Sequence, residues 1–435
     1  MRFQTDRPPT WQTCLACGNE LTETDPHPRC PACGGLLEVQ HRPPDLTPDE
    51  LLLRFTERRG RPGASASGVW RFREIVLPSA ETVVSHPEGN TPLIHRESLD
   101  RWTGVRQLRL KHEGHNPTGS FKDRGMTVGV TQARRIGATA VACASTGNTS
   151  ASLAAYAAQA GLAALVLVPS DGVAMGKLAQ ALAYGARTLL VRGDFDDCLR
   201  LVEEASTRLG VYLLNSINPF RLEGQKTIVL ELLQKLQWQP PDWIVLPAGN
   251  LGNTAAFGKA LRETQAMGLI SRLPRLAAVQ AAGAAPFARS FADGFMRRYR
   301  VKAETVATAI RIGDPASYDR AVRSIRETNG VVLTVEDAEL LEAKAAVDGC
   351  GVGCEPASAA SVAGVRQLVR QGVIDPAERV VAVLTGHVLK DPGILLRYHS
   401  EMEPPPPGAN RPIEIEPRLE DVERALKQLG VKGGA

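Results

Sequence analysis

The sequence has few aromatic residues, no long apolar run and almost no net charge. Phe, Tyr and Trp make up 5% of the 435 residues, which suits tightly packed α/β layers better than aromatic-rich β-sandwiches. No stretch of about 18 consecutive apolar residues occurs, so we predict that no helix spans a membrane. Lys and Arg number 51 against 47 Asp and Glu, and this balance removes any global argument for a nucleic-acid or other polyanionic partner.

The first ten residues also lack the apolar core of a secretory signal peptide. We therefore expect a cytoplasmic protein, in which cysteines are thiols or metal ligands more often than disulfides. Hydrophobic residues make up 43% of the chain, which is enough for sizeable cores. At roughly 100–200 residues per domain, the length suggests about two to four domains.

Four of the eight cysteines lie close together, in the pattern C-x2-C-x12-C-x2-C formed by Cys14, Cys17, Cys30 and Cys33. Each CxxC pair brings two thiolates together from one tight turn, and two such turns close a tetrahedron around Zn²⁺. The spacing predicts a zinc ribbon, although a pair of disulfides or a site that has lost its metal has the same pattern. The segment contains few basic residues and no aromatic series for base stacking, so we interpret it as a structural module that supports a neighbour.

From Val105 onward, short β-branched runs alternate with helical patterns, which argues for parallel sheets with helices on both faces. The helical patterns include one long helix over Glu223–Gln237 and one over Thr254–Met267. Four prolines at Pro404–Pro407 predict a stiff connector before a final helix within Glu416–Gly430.

We divide the chain by these changes of pattern. The predicted divisions are a zinc ribbon (8–42), a connector and entry to the large domain (43–104), a segment forming mainly the smaller α/β domain (105–215), a segment forming mainly the larger α/β domain (216–400), and a Pro-rich linker with a C-terminal helix (401–435).

Two loops rich in Gly, Asn and Ser each follow a predicted strand and precede a predicted helix, at Ser145–Ser150 and Gly249–Asn253. Ligands of open α/β sheets bind beyond the carboxyl ends of the strands. Each loop offers backbone N–H groups at a helix N-terminus, an arrangement that binds anions. Neither loop contains a P-loop or a G-x-G-x-x-G pattern. One such loop alone is more often an ordinary turn, but two of them favour a binding site.

A lysine follows a third run of turn-forming residues, N-P-T-G-S-F, and begins the next predicted helix at Lys122. A lysine at a helix N-terminus is unfavourable with the helix dipole. This position therefore needs another reason, such as covalent attachment to a carbonyl compound.

The segment NPTGSFKDRG resembles the cofactor-lysine motif of the fold-type II pyridoxal-phosphate enzymes. Further segments resemble the threonine synthase family, in order along the chain: GNTPLI (Gly89–Ile94), STGNTSAS (Ser145–Ser152), NSINPFRLEGQKT (Asn215–Thr227), PAGNLGN (Pro247–Asn253), IRIGDPASY (Ile310–Tyr318), CEPASAAS (Cys354–Ser361) and LTGHVLKDP (Leu384–Pro392). The resemblance covers roughly residues 86–395. It implies two doubly wound parallel-sheet domains of the tryptophan-synthase-β-like kind, and some members also carry an N-terminal zinc ribbon.

The resemblance also implies roles for individual residues. Lys122 would hold pyridoxal phosphate covalently and act as acid and base, while Thr385 would face the pyridine nitrogen and Asn148 the 3′-oxygen. The cofactor phosphate would be bound by five consecutive loop residues: Gly249, Asn250, Leu251, Gly252 and Asn253. The substrate phosphate would be bound by five polar residues: Ser145, Thr149, Asn215, Ser216 and Arg221.

The implied enzyme is a cytoplasmic, homodimeric lyase of threonine biosynthesis, with no nucleic-acid or membrane partner. It would convert O-phospho-L-homoserine and water to L-threonine and phosphate by γ-elimination and β-addition of water. Two positions depart from the family pattern, because His115 replaces an aliphatic residue and Gly353 replaces an aromatic one. A cysteate-synthase-like enzyme, a dehydratase and a non-catalytic paralogue whose ribbon binds a partner remain alternatives.

Overall fold

The computed structural model describes residues 8–171 and 175–428, which divide into two compact units at Asp391. In the described residues the strands are β1 (Thr10–Cys14), β2 (Glu20–Thr22), β3 (Leu37–His41), β4 (Leu93–His95), β5 (Leu108–His112), β6 (Ala140–Ala144), β7 (Ala163–Pro169), β8 (Arg187–Val191), β9 (Tyr212–Leu213), β10 (Trp243–Pro247), β11 (Arg275–Ala281), β12 (Val331–Val335) and β13 (Val380–Leu384).

The helices of the same residues are α1 (Pro48–Arg59), α2 (Arg73–Val76), α3 (Glu97–Thr103), α4 (Lys122–Arg135), α5 (Asn148–Ala160), α6 (Met175–Ala183), α7 (Phe195–Leu209), α8 (Pro219–Gln225), α9 (Thr227–Lys235), α10 (Gly252–Ala266), α11 (Pro286–Ala292), α12 (Tyr318–Glu327), α13 (Asp337–Gly349), α14 (Pro356–Arg370), α15 (Pro392–Leu396) and α16 (Leu419–Gln428).

The N-terminal strands form a small antiparallel sheet in the order β2-β1-β3. The two CxxC turns lie at its ends, where Gly18 and Gly34 both have φ of 74°. A side chain is excluded at Gly35, because its Cβ would lie 2.8 Å from the Cys14 sulfur. This sheet with its two cysteine turns is compatible with the predicted ribbon, and we call residues 8–42 the ribbon below.

A six-stranded sheet with the order β12-β11-β10-β13-β5-β4 forms the larger α/β layer. All its neighbouring strands are parallel except the edge strand β4, which pairs antiparallel with β5. Strand β10 is buried along its whole length, with Trp243 and Val245 in one core and Ile244 and Leu246 in the other. Alternate side chains thus enter two helix-covered cores, which is the doubly wound arrangement that the apolar strands predicted.

A second sheet, with the order β8-β7-β6-β9, is parallel throughout and is also covered on both faces. Strand β5 lies in the segment predicted to form mainly the smaller domain, yet it pairs in the six-stranded sheet. The chain therefore enters the larger layer first, leaves it to build the smaller one, and then returns.

The helix predicted over Glu223–Gln237 is instead two helices, α8 and α9, which meet at Lys226. Lys226 itself has helical dihedral angles, φ −59° and ψ −23°, so the apolar periodicity continues across the junction. The sequence pattern could not show this break because it lies in the hydrogen bonding rather than in the spacing of apolar residues.

The second unit, from Pro392 onward, contains α15 and α16 joined by a Pro-rich segment. Helix α16 falls within the predicted Glu416–Gly430, of which Leu429 and Gly430 lie outside the described residues. Among the helices that the structure describes, none has the length and apolar character needed to cross a membrane.

Candidate active site

The predicted site loops meet at the carboxyl ends of the parallel strands. The loop after β10 and Thr385 after β13 are neighbours because these two strands pair in register. The loop that carries Lys122 joins them through backbone contacts: Phe121 N–H donates to Thr385 O at 3.0 Å and His387 N–H donates to Gly119 O at 2.9 Å. Lys122 is thereby fixed beside Thr385.

Helix α4 begins at Lys122, as predicted, and Asp123 in its first turn binds the loop that precedes the helix. The buried carboxylate of Asp123 accepts hydrogen bonds from Thr118 N–H at 2.7 Å and from the Thr118 and Ser152 hydroxyls at 2.6 Å each. A carboxylate in the first turn also offsets the helix dipole. Two sets of contacts therefore fix the lysine loop: its backbone hydrogen bonds to the segment after β13, and the hydrogen bonds from Thr118 to Asp123.

A buried network of ion pairs packs against the lysine loop. Arg124 forms a two-pronged bond with Glu113 at 2.6 and 2.9 Å, and Asn116 donates to Glu113 at 2.8 Å. Glu231 accepts from Arg71 at 2.9 Å and also from Lys111. A conformation that separates these groups leaves an uncompensated buried charge, which is costly. The network therefore stabilises the conformation of the loop in which all its charges are paired.

The Lys122 amine lies 4.2 Å from the centre of the Phe121 ring, and none of the described residues gives it a hydrogen-bond acceptor. Burial lowers the pKa of this amine to about 7, and the nearby positive charge of Arg221 lowers it further, while Glu355 opposes both. An amine with this pKa is largely neutral and nucleophilic just above neutrality. Lys122 thus has the chemistry that attachment to an aldehyde requires.

Asn148 and Thr385, which come from different sheets, bind the same carboxylate. Asn148 donates to Glu355 Oε2 at 2.9 Å, and the Thr385 hydroxyl donates to Glu355 Oε1 at 3.0 Å. The Ser358 hydroxyl lies 3.0 Å from that of Thr385. Burial raises the pKa of Glu355, although these two hydrogen bonds and the Lys390 and Lys122 charges act to lower it.

Sequence reasoning missed Glu355 as a functional residue. It is the only charged residue between Asp348 and Arg366, in a run of small and apolar residues, and that isolation was an available signal. Lone buried charges usually have a specific partner. Here the partners are two residues to which the resemblance assigns cofactor contacts.

The loop Gly249–Asn253 leads into α10 through Leu251, which has a left-handed conformation at φ 63°. A side chain at Gly249 would place its Cβ 3.0 Å from Ile310 Cα, so the segment around Ile310 lies directly over the loop. Asn250 binds the same segment, accepting from Ala316 and Ser317 N–H groups at 3.2 Å each. The result is a narrow cradle walled by backbone.

Several buried polar atoms around this cradle lack hydrogen-bond partners among the described residues. They are Gln225 Oε1, Asn253 Oδ1, Thr254 Oγ1 and Ser317 Oγ. Buried polar atoms in proteins are normally paired, so a cluster of unpaired ones indicates a bound group or water. Together with the N-terminus of α10, they fit a phosphate better than an apolar group.

Gln225 connects this cradle to the lysine helix. Its Nε2 lies 3.2 Å from the Cβ position of Gly125 on α4, and its Oε1 lies 3.2 Å from the Cβ position of Gly252 on α10. Lys122, the cradle and the Asn148–Glu355–Thr385 group therefore surround one region. An amine, a phosphate cradle and ring-edge polar groups are the groups that hold pyridoxal phosphate, so the residues present fit this cofactor.

Arg221 is buried and only partly satisfied. Its Nη1 donates to Leu214 O at 2.9 Å, while Nε and Nη2 have no partner in the described residues. Burial lowers the pKa of its guanidinium to about 10. Nearby Cys143 is a neutral thiol, since burial raises its pKa to about 12. A buried cation with free donors fits a planar or tetrahedral oxyanion.

The other predicted substrate residues differ in their freedom. Asn215 binds the backbone of Ala144 through both amide atoms, its Oδ1 accepting at 3.0 Å and its Nδ2 donating at 3.2 Å, and so joins the end of β6 to the segment before α8. The Ser145 hydroxyl accepts from Gly147 N–H at 3.3 Å. Thr149 and Ser216 are half-buried.

The two residues that depart from the family pattern are linked through His112. The ring of His115 packs edge-on against that of His112 with centres 4.6 Å apart, and His112 Nε2 lies 2.7 Å from Gly353 O. Gly353 has φ of 70°, and its Cβ would lie 3.2 Å from Val388 Cβ. The local backbone therefore favours glycine at a position where the family pattern has an aromatic residue.

The four ribbon cysteines form a separate site. Their sulfurs all lie within 4.8 Å of one another, with Cys14–Cys33 at 3.5 Å and Cys17–Cys30 at 3.7 Å. Tetrahedral Zn²⁺ with bonds of about 2.3 Å separates its ligand sulfurs by about 3.8 Å. The cluster can hold a metal ion of this kind.

Comparison with known proteins agrees with this chemistry. A family described as "Pyridoxal-phosphate dependent enzyme" matches residues 84–386. The chain is 44% identical to a threonine synthase of Methanocaldococcus jannaschii, over 96% of this chain and 100% of that one. It is 46% identical to a threonine synthase of Methanosarcina acetivorans, over 87% and 92% of the two chains. The crystal structure of threonine synthase from Escherichia coli superposes with a TM-score of 0.68, at 18% identity and with 94% of each chain covered, which supports the fold.

Proposed function

Because the chain belongs to the threonine synthases, a family of pyridoxal-phosphate-dependent lyases, we propose that its site converts O-phospho-L-homoserine and water to L-threonine and phosphate. The reaction is a γ-elimination of phosphate followed by addition of water at Cβ. The observation that carries this proposal is the buried, half-satisfied guanidinium of Arg221, close enough to Lys122 to lower the pKa of its amine.

A free buried cation is costly unless an anion joins it during function. The cradle at α10 is a separate place for the cofactor phosphate, so Arg221 remains for a second anion. A dehydratase that acts on serine or threonine has no second phosphate to bind. The arrangement therefore favours a phosphorylated amino acid as substrate.

Bound pyridoxal phosphate supplies the electron sink that makes protons near the amino-bearing carbon of the substrate removable. Lys122 would hold the cofactor between turnovers and would accept and return protons at Cα and then at Cβ of the substrate. Its lowered pKa allows it to accept a proton near neutrality. Arg221 binds the phosphate at Cγ and stabilises the charge that develops as it leaves.

The remaining residues orient these groups. Asn148 and Thr385 would contact the polar edge of the cofactor ring, and the Gly249–Asn253 loop would bind its phosphate. Glu355 holds Asn148 and Thr385 in position, since it accepts a hydrogen bond from each. A hydroxyl at Thr385, unlike a carboxylate, does not enforce a protonated ring nitrogen.

The ribbon cysteines bind Zn²⁺ as a closed, four-sulfur structural site. Neighbouring sulfurs of these free cysteines lie 3.3–3.7 Å apart, which supports this site because ligand sulfurs around tetrahedral zinc have similar spacings. A homodimeric, cytoplasmic enzyme without a nucleic-acid partner remains the prediction from the sequence.

The test is an assay of the cofactor-loaded protein with O-phosphohomoserine, in which phosphate and threonine are measured together. We expect equal amounts of both products. Release of phosphate without threonine contradicts the proposed product, and no release at all from a protein whose absorbance shows bound cofactor contradicts the proposed substrate. Phosphoserine with sulfite is then the next pair to assay.

A further inference from the structure

The ribbon docks on the catalytic unit through the free edge of strand β3. Two backbone carbonyls on this edge accept hydrogen bonds from buried cations, Leu37 O from Arg320 and Val39 O from Lys259. At the end of the strand, His41 Nε2 lies 2.8 Å from Glu223 Oε2. Alternate residues of one strand edge thus contact three different side chains of the body.

Glu223 is the centre of this junction. Its carboxylate accepts from His41, Lys226 and Lys259, and its side chain is 1% exposed. The other ring nitrogen of His41 lies 3.0 Å from the Thr10 hydroxyl on β1. The tautomer with its proton on Nε2 satisfies both contacts, so the imidazole joins two ribbon strands to one carboxylate.

The junction connects the two helices that carry the anion sites. Glu223 follows Arg221 by two residues on α8, so the two side chains leave the helix on nearly opposite faces, at about 200° of rotation. Lys259 lies on α10, whose first turn forms the phosphate cradle. The Glu223–Lys259 contact therefore sets the spacing between Arg221 and the cradle.

Helix α8 is in turn packed tightly against the lysine helix. A side chain at Gly224 would place its Cβ 1.7 Å from Arg124 O, and one at Gly125 would place its Cβ 3.0 Å from Arg221 O. With backbone touching backbone on one side, a displacement on the ribbon side of α8 moves Arg221 relative to Lys122. Such a shift would move the Arg221 guanidinium away from the phosphate that it binds and so weaken phosphate binding.

The ribbon itself depends on its cysteines. Its buried cluster consists of Cys14, Cys30 and Leu37, with Leu21 packed against it. Leu37 pairs in register with Cys14 across the sheet. Small domains with so little apolar core usually fold only with metal bound. Loss of the metal would therefore release strand β3.

We propose that the metal-bound ribbon is a positioning device for the substrate-phosphate site, with His41 and Glu223 as positioning residues. Metal holds β3, β3 holds the Glu223–Lys259 pair, and that pair fixes α8 so that Arg221 meets the phosphate at Cγ. The inference rests on the proposed function in so far as Arg221 binds that phosphate. It predicts that events in the ribbon change the affinity for phosphate-bearing ligands.

The experiment compares His41→Leu, His41→Gln and Gln40→Leu in the full-length, cofactor-loaded protein. Leucine at position 41 removes the donor to Glu223, whereas glutamine keeps an N–H donor at similar reach. Gln40 is the adjacent residue, and its side chain alternates to the other face of the strand, where it donates to Glu38 of the same strand at 3.0 Å. For each protein, kcat and KM for O-phosphohomoserine and the Kd for inorganic phosphate are measured. Metal content, cofactor absorbance and Tm are measured in parallel.

We expect His41→Leu to raise KM and the phosphate Kd about tenfold, with kcat changed less than about threefold and metal and cofactor retained. His41→Gln should recover most of the affinity, and Gln40→Leu should match the wild type. Chelation of the metal from the wild-type ribbon should raise the phosphate Kd similarly. Chelation of His41→Leu should add little, because both changes break the same chain of contacts.

An unchanged phosphate Kd in metal-loaded His41→Leu overturns the proposal. So does an equal fall in Tm for the leucine and glutamine variants without a separation of KM from kcat, because that result describes a purely structural contact. If the wild type does not act on O-phosphohomoserine, the proposed function fails, but the dependence of phosphate affinity on His41 and on metal still supports the positioning role.

Discussion

The two proposed anion sites of the catalytic unit differ in charge and in how they are held. The Gly249–Asn253 loop contains no charged residue and offers backbone N–H groups, the α10 dipole and neutral polar atoms. Arg221 offers one buried cation with two free donor groups. A cofactor that stays bound needs a close-fitting cradle. A phosphate that leaves at each turnover instead needs a nearby positive charge, which stabilises the negative charge that develops on its leaving oxygen. In this protein, then, a close-fitting shape binds the permanent cofactor phosphate, and a buried charge binds the phosphate that is released.

The largest expected effect comes from removing the Lys122 amine. Lys122→Ala should lower the rate of threonine formation by about 10³-fold or more, because it removes the amine that we propose moves protons at Cα and Cβ. The rate is measured as coupled release of threonine and phosphate. Lys302→Ala, at an exposed lysine, is the control and should be fully active.

Lys122→Ala also tests whether the two anion sites bind independently of the lysine. Lys122 belongs to neither anion site. Lys122→Ala should therefore still bind pyridoxal phosphate, although non-covalently, and it should bind inorganic phosphate with near wild-type affinity. Loss of both affinities would mean that the lysine loop, rather than the cradle and Arg221, holds the anions.

The second effect concerns Arg221 alone. Arg221→Met should raise KM for O-phosphohomoserine about 100-fold, since one charged partner of the phosphate is lost, and should leave cofactor affinity unchanged. The kinetics and a cofactor titration measure the two sites separately.

The same substitution should increase stability. Burial lowers the pKa of Arg221 to about 10, which shows that the structure disfavours its charge. Removing an unsatisfied buried cation should raise the free energy of unfolding by about 1 kcal/mol in urea titrations of the cofactor-free protein. A less stable variant would contradict the inference that the unsatisfied charge of Arg221 lowers the stability of the protein.

A third effect is on the pH dependence of cofactor attachment. Lys122 must be neutral to attack the aldehyde, and burial lowers the pKa of its amine to about 7. The attachment rate should therefore rise about tenfold per pH unit below 7 and level off above it. The measurement is the growth of the bound-cofactor absorbance after mixing. A rate still rising steeply between pH 8 and pH 10 would mean that the amine is not depressed.

The smallest effect tests the shape of the cradle. Gly252→Ala places a Cβ 3.2 Å from Gln225 Oε1, a close contact that the amide must relieve by moving. We expect cofactor Kd to rise about threefold, with little change in the phosphate Kd at Arg221. Gly349→Ala, at the end of α13, is the matched control, because a Cβ there meets nothing within 4 Å.

Features that depend on neighbouring residues could be predicted from the sequence. The cysteine spacing, the strand–helix alternation and the start of α4 at Lys122 each depend on a few consecutive positions. The two Gly/Asn loops were also identified, because the chemistry of an anion site at a helix N-terminus is written in one short segment.

Features that depend on distant residues could not be predicted. Glu355 bridges Asn148 and Thr385 across separations of 207 and 30 residues. His41 and Glu223, which join the ribbon to α8, are 182 residues apart. Each residue alone has an ordinary interpretation, as a helix-cap carboxylate or a strand-end histidine. Their roles arise only when folding brings them together.

The most direct test of the two-site account is ³¹P NMR of the cofactor-loaded protein titrated with inorganic phosphate, in the wild type and in Arg221→Met. In both proteins we expect one resonance from cofactor phosphate. In the wild type alone we expect a second, saturable resonance from phosphate bound at Arg221. A variant that binds added phosphate as tightly as the wild type would contradict the assignment of Arg221. A variant that loses the cofactor resonance would contradict the separation of the two sites.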